Sequence, residues 1–164
     1  MKPAPPPIPA SLLRDPGHFL ALGFGSGLAP RAPGTFGTLA AIPVYLLCAQ
    51  LALPAYLLVV VGLFLLGVYL CGRTARALGV HDHPGIVWDE VVGFLLTMAF
   101  APPGWVWIVL GFAAFRLFDI WKPWPIRVLD RRVHGGLGIM LDDVLAGLAA
   151  AASLEILYRL LQNA

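Results

Sequence analysis

Charged residues divide this chain into long uncharged runs. Ala32 to Gly72 is 41 residues without a charge, and Val91 to Phe115 is a second such run. Pro54 lies near the middle of the first run and predicts two helices, about 36–53 and 55–72. The APPG at 101–104 divides the second and predicts helices of about 89–101 and 105–121. A fifth apolar stretch covers about 143–161. A membrane-spanning helix needs about 20 apolar residues. The third element is short by that measure, as a tilted, interfacial or re-entrant segment would be. The pattern predicts an all-α, membrane-embedded bundle of about five apolar helices, with its motifs on cytoplasmic loops. Buried helices of a large soluble domain fit the same lengths. Residues 17–164 read as a single domain behind a Pro-rich, mobile tail over 1–16, which lacks the apolar core of a signal peptide.

Composition sharpens the choice. Of 164 residues, 59% are hydrophobic and 12% charged, against roughly 25% charged in ordinary soluble domains. That balance belongs to a membrane protein. A net charge of +2 and the lack of a basic, aromatic-studded stripe exclude nucleic acid as the expected partner. Cys48 and Cys71 lie far apart in apolar runs with no metal-ligand spacing, so they read as packing residues.

Topology follows from the basic residues. Lys2, Arg14 and Arg31 precede the first run, Arg73 and Arg76 follow the second helix, and Lys122, Arg127, Arg131 and Arg132 follow the fourth. The connectors near 53 and 102 carry no charge. Basic loops stay cytoplasmic. The N-terminus and both long loops are therefore expected inside and the C-terminus outside, with Arg159 on the disfavoured side.

The ionisable chemistry is concentrated in repeated form. HDHPGIVWDEVVG, from His81, and HGGLGIMLDDVLAG, from His134, share His-x3-Gly-Ile-x2-Asp-acid-Val without a gap. Asp89 and Glu90 match Asp142 and Asp143 at a constant offset of 53. Two parallel elements related by a rough two-fold along the membrane normal would bring the acidic pairs together; chance similarity gives the same letters. Acidic residues in a helix's first turn also complement its dipole. As a functional set, hard oxygen ligands without cysteine suit Mg²⁺ or Ca²⁺. His81, His83 and His134 are candidates to orient a ligand or shuttle protons, or to make ordinary loop hydrogen bonds.

Two further segments could face a phosphate. GFGSGLAPRAPGTFGT, 23–38, offers Ser26, Arg31 and Thr35 among glycines that let backbone approach closely. It lacks the Gly-Lys-Ser/Thr end of a phosphate-binding P-loop, and tight packing alone would explain its glycines. In FRLFDIWKPWP, 115–125, Arg116, Asp119 and Lys122 recur at three-residue spacing on one helical face. They form either a salt-bridge ladder or a clamp in which Arg116 and Lys122 hold phosphate oxygens beside Asp119. Trp121 and Trp124 suit a membrane interface.

These segments, in this order, resemble the phosphatidylglycerophosphatase A family over roughly residues 17–160. The resemblance implies a Mg²⁺-dependent, multi-pass lipid phosphatase of the bacterial cell inner membrane. Its substrate would be phosphatidylglycerophosphate and its product phosphatidylglycerol. The resemblance makes Asp89, Glu90, Asp119, Asp142 and Asp143 the metal and catalytic set. The residues themselves offer no covalent nucleophile: Cys-x5-Arg fails because Ala77 stands where Cys71 needs arginine. Attack by a metal-activated water is the simplest chemistry. It would use one or two Mg²⁺, with Arg31, Arg116 and Lys122 positioning phosphate and an acid, His81 or His134 as base. The rival is a small transporter or channel subunit whose intramembrane acids carry protons or divalent ions. The oligomeric state is not legible.

Overall fold

Proline and glycine punctuate the chain where the helices begin and end. A computed structural model describes residues 6–81, 83–124 and 126–163. Lys2, Asp82 and the side chain of Arg131 lie outside that description, as do the first five tail positions. The described residues form seven α-helices and no strand: α1 Pro16–Ala21, α2 Pro33–Cys48, α3 Leu53–Leu78, α4 Trp88–Met98, α5 Trp105–Trp121, α6 Ile126–Arg132 and α7 Gly135–Gln162. Proline opens α1 and α2 at the position where a missing N–H costs nothing. Gly79, at φ 68°, closes α3 with its N–H bonded back to the last turn.

The tail residues described are not isolated from the bundle. Asp15 caps α1, accepting from Gly17 N at 2.8 Å and His18 N at 3.2 Å. Arg73 on α3 donates to both oxygens of the same carboxylate. That guanidinium holds the Asp15 carboxyl down to about 2, with burial opposing and the two cap amides assisting.

One expectation about the elements is overturned. The last helix starts at Gly135 rather than near residue 143, and the 122–142 segment holds the short α6. Two glycines at the start of α7 are close-packing residues. A Cβ at Gly136 would lie 1.8 Å from the Val68 carbonyl oxygen of α3, and one at Gly138 would lie 2.2 Å from that of Val133. Glycine at 136 lets α7 close on α3, and glycine at 138 clears the turn that leads into α7.

The chain runs back and forth between two ends. One end gathers the starts of α2, α4 and α7 and the finishes of α3 and α5; the other gathers the opposite termini of α2 to α5. At the centre stands α4, only 11 residues long, about 16 Å. It is too short to cross an apolar layer of about 30 Å and is buried on nearly every face. It therefore serves as the core of the bundle and not as a lipid-facing span. Trp88 Nε1 donates to the Leu63 carbonyl, and Tyr56 Oη donates to the Leu95 carbonyl. A Cβ at Gly147 of α7 would lie 2.5 Å from the Gly93 oxygen of α4. Small residues of this kind let backbones approach where no water-driven force holds helices together.

Among the described residues two helices, α3 and α7, are long and apolar enough to cross a membrane. The outward stripe of α3 is Leu58, Val61, Leu65 and Tyr69, and Leu58 is 73% exposed. A soluble monomer rarely presents so continuous an apolar face. The stripe suits lipid as its solvent.

Candidate active site

The approach to α4 is a Pro84–Gly85 turn held by hydrogen bonds. Gly85 N donates to His83 Nδ1 at 3.0 Å, Ile86 N to the His83 carbonyl, and Val87 N to the Ala21 carbonyl. With Nδ1 accepting, His83 Nε2 carries the proton and donates to the Pro6 carbonyl at 2.9 Å. A Cβ at Gly27 would meet the Gly85 oxygen at 2.0 Å, so the glycine-rich segment locks directly onto this turn. The turn delivers Asp89 and Glu90 into the first turn of α4.

These acids face a cavity of about 330 Å³ among α2, α4, α5 and α7. Its lining includes Asp89, Glu90, Asp119, Asp142 and Asp143, together with Arg116 and Lys122. Glu90, Asp142 and Asp143 are all buried, Asp143 with 2% of its surface exposed. Asp89, Glu90 and Asp143 offer carboxylate oxygens lying within 4.8 Å of one another. Glu90 Oε2, Asp143 Oδ2 and Arg116 Nε are buried without a hydrogen-bond partner. Buried polar atoms left this way are costly unless a ligand completes them.

The cations engage the other two acids, and Arg116 reaches Glu90 as well. Arg116 Nη1 donates to Asp119 Oδ2 and lies 3.7 Å from Glu90 Oε1. Lys122 Nζ donates to Asp142 Oδ2. Lys122 is not the third rung of a helical ladder. It is the left-handed cap of α5, at φ 43° ahead of Pro123, and turns away from the helix toward α7. Ala32, at φ 49°, makes the matching bend where α2 enters the cavity. Left-handed non-glycine residues are strained and cluster at functional sites.

Helix capping accounts for only one acidic pair. Asp89 and Glu90 are in the first turn of α4, whereas Asp142 and Asp143 are two turns inside α7. The histidines of the repeated motif are elsewhere. His81 and His134 are exposed, with ring centres 4.8 Å apart, and His81 Nε2 accepts from Gly135 N. His81 lines a separate cleft with Arg76 and Gly135. His134 is the N-cap of α7, eight positions before Asp142, or about 12 Å along the axis. Neither histidine lines the acidic cavity.

Of the phosphate-facing candidates, Arg116 and Lys122 line the cavity and Ser26, Arg31 and Thr35 do not. Ser26 Oγ closes its own turn on the Gly23 carbonyl. Arg31 is exposed, and Thr35 is half-buried in the first turn of α2. The segment instead contributes Ala32, Pro33 and Gly34. A Cβ at Gly34 would lie 2.1 Å from Glu90 Oε1 and 3.0 Å from Arg116 Nη1, so only glycine leaves that wall of the cavity open. The signal was the Pro-Gly at the start of an apolar helix, which marks a backbone surface where the hydroxyls drew attention.

A profile of the family described as Phosphatidylglycerophosphatase A matches residues 19–158. The chain belongs to the phosphatidylglycerophosphatase A family. It is 52% identical to the Escherichia coli phosphatidylglycerophosphatase A over 87% of this chain and 83% of that one. It is 49% identical to the Haemophilus influenzae protein of the same name over 88% of this chain and 90% of that one. No solved structure gives a significant match. As a member of the phosphatidylglycerophosphatase A family the chain is an enzyme, a phosphatase hydrolysing a phosphate monoester, and the transporter alternative gives way. The family match contains every acid and base of the cavity.

Proposed function

We propose that this phosphatase hydrolyses phosphatidylglycerophosphate to phosphatidylglycerol and phosphate. The reaction would occur at the cytoplasmic leaflet of a bacterial inner membrane, with Mg²⁺ held by carboxylates of the cavity. The observation that carries this reading is the meeting of five carboxylates, one guanidinium and one ammonium at the ends of apolar helices. Hard oxygen donors suit Mg²⁺, and the partnerless buried oxygens of Glu90 and Asp143 fit a cation between α4 and α7. Bound there, it would supply charge neutralisation at the phosphoryl group and a more acidic water.

The chain's own residues supply the rest. Arg116 and Lys122 place the phosphate by charge-assisted hydrogen bonds. Gly34 keeps backbone, not side chain, against the phosphoryl group. Among the described lining residues a proton leaving water has carboxylates, and no histidine, to accept it. The diacyl tails stay in the bilayer beside the outer faces of the helices and need no deep pocket.

Sidedness rests on charge. Arg14, Arg31, Arg73, Arg76, Lys122, Arg127 and Arg132 all fall at the cavity end of the helices, as cytoplasmic basic residues do. This reading takes α2, α3, α5 and α7 through the membrane around the central α4. The test is phosphate release by solubilised full-length protein from a panel of lipid phosphates, with Mg²⁺ and then with EDTA. Mg²⁺-dependent release, fastest on phosphatidylglycerophosphate, is expected; preference for another lipid phosphate would overturn the substrate, and EDTA-resistant turnover the cation.

A further inference from the structure

The five carboxylates of the cavity are not equivalent: Asp89, Glu90 and Asp143 bring oxygens within 4.8 Å of one another, whereas Asp119 and Asp142 each accept a hydrogen bond from a cation. We infer that Asp89, Glu90 and Asp143 are the divalent-cation ligands, while Asp119 and Asp142 are positioning residues that aim Arg116 and Lys122 at the phosphate. This rests on the proposed metal-dependent hydrolysis and divides its acids into two jobs.

The ligand group is defined by backbone approach. A Cβ at Gly93 of α4 would lie 2.8 Å from the Asp143 carbonyl oxygen, and one at Gly147 would lie 2.5 Å from the Gly93 oxygen. Gly93 follows Glu90 by three positions and Gly147 follows Asp143 by four. Each glycine thus sits about one turn below its acid. The two helices can touch there, and the acids one turn above must then face each other. The result is the set of Asp89, Glu90 and Asp143 oxygens within 4.8 Å. Two of the three residues are at least nine-tenths buried and hold a partnerless oxygen in the cavity. Clustered anions at that depth repel one another strongly, and a hard divalent cation would relieve the repulsion.

The positioning group is built differently. Asp119 lies one turn beyond Arg116 on the same helix, so the helix itself holds that pair together. Asp142 meets Lys122 because α5 ends in a left-handed residue ahead of Pro123. Both cations are thus tethered by carboxylates, and each carries more N–H donors than one carboxylate oxygen uses. A guanidinium or ammonium left untethered would lose orientation, not charge.

Mn²⁺ titration of detergent-solubilised full-length protein, followed by electron paramagnetic resonance, separates the jobs without requiring turnover. D89N, E90Q and D143N should each weaken Mn²⁺ binding by about tenfold or more. D119N and D142N should bind Mn²⁺ within about threefold of the parent. In phosphate-release kinetics the latter two should raise KM for the lipid phosphate by about tenfold, as expected for loss of one charge-assisted contact. D119E and D142E should restore part of that loss, and D119N should add little in an R116Q background. Loss of Mn²⁺ by D119N or D142N as large as in D143N would overturn the division while leaving the metal reading intact. A parent protein that binds no Mn²⁺ would overturn the metal reading itself. Unchanged KM in D119N and D142N would remove their positioning role.

Discussion

The two copies of the repeated motif carry almost the same letters on unlike backbones. In the first, the Pro84–Gly85 turn, bonded back to His83, precedes a helix that begins at Trp88, so Asp89 and Glu90 open α4. In the second, Leu137 stands where the first copy has Pro84, the helix starts at Gly135, and Asp142 and Asp143 lie two turns inside. The copies also differ in surroundings: Asp142 accepts from Lys122, whereas Glu90 lies 3.7 Å from Arg116 Nη1 and shares a cluster with Asp89 and Asp143. Shared letters did bring the acids to one cavity. They did not give the acids the same place in their helices, because that depends on where each helix begins.

The comparison can be broken at the acids first. D143N and D89N should each cost at least about 100-fold in phosphate release with the fold intact, the scale of losing a preorganised electrostatic contact. Near-parent turnover in either variant would show that its copy of the motif does not contribute to the site. The helix contact that joins the copies comes next. Gly147→Leu should lower stability by about 1–3 kcal/mol or more, seen as a lower unfolding temperature in detergent. Gly62→Ala should leave that temperature near the parent's, because nothing lies within 4 Å of a Cβ there. Equal effects would mean that the α4–α7 approach is not selective for glycine.

Smaller effects are expected at the motifs' histidines. A general base contributes about 100-fold or more, so H81A and H134A should each change the rate less than about threefold if the carboxylates accept the proton. A hundredfold loss in either would return the histidines to the mechanism. The smallest effect concerns the cap on α1, outside both copies. Asp15 titrates near 2 when folded and at its ordinary value of 3.8 when free. Its stabilisation is therefore complete above about pH 4 and disappears as pH falls toward 2. Protection of the Gly17 and His18 amides, taken relative to the free-amide exchange rate at each pH, should fall over that window in the parent and be reduced at all pH values in D15N; protection that stays constant from pH 5 to 2 would exclude the cap.

Much of the fold is written in apolar run lengths and proline positions. Pro54 and APPG place the starts of α3 and α5 to within two residues, and the carboxylates at 89, 90, 119, 142 and 143 stand out because an apolar chain rarely spends charge inside its runs. Family kinship is equally legible, since three long motifs occur in order. Tertiary structure decided what local signals cannot carry. The role of Gly136 is not local, because its packing partner, the Val68 carbonyl, lies on α3. α4 reads as a span because burial by neighbours and burial by lipid demand the same apolar letters. Which acid meets a cation, which meets another acid, and that His81 and His134 meet each other are matters of helix phase and approach. The residues capable of the chemistry are thus a property of the sequence, and their division of labour is a property of how closely α4, α5 and α7 can pack.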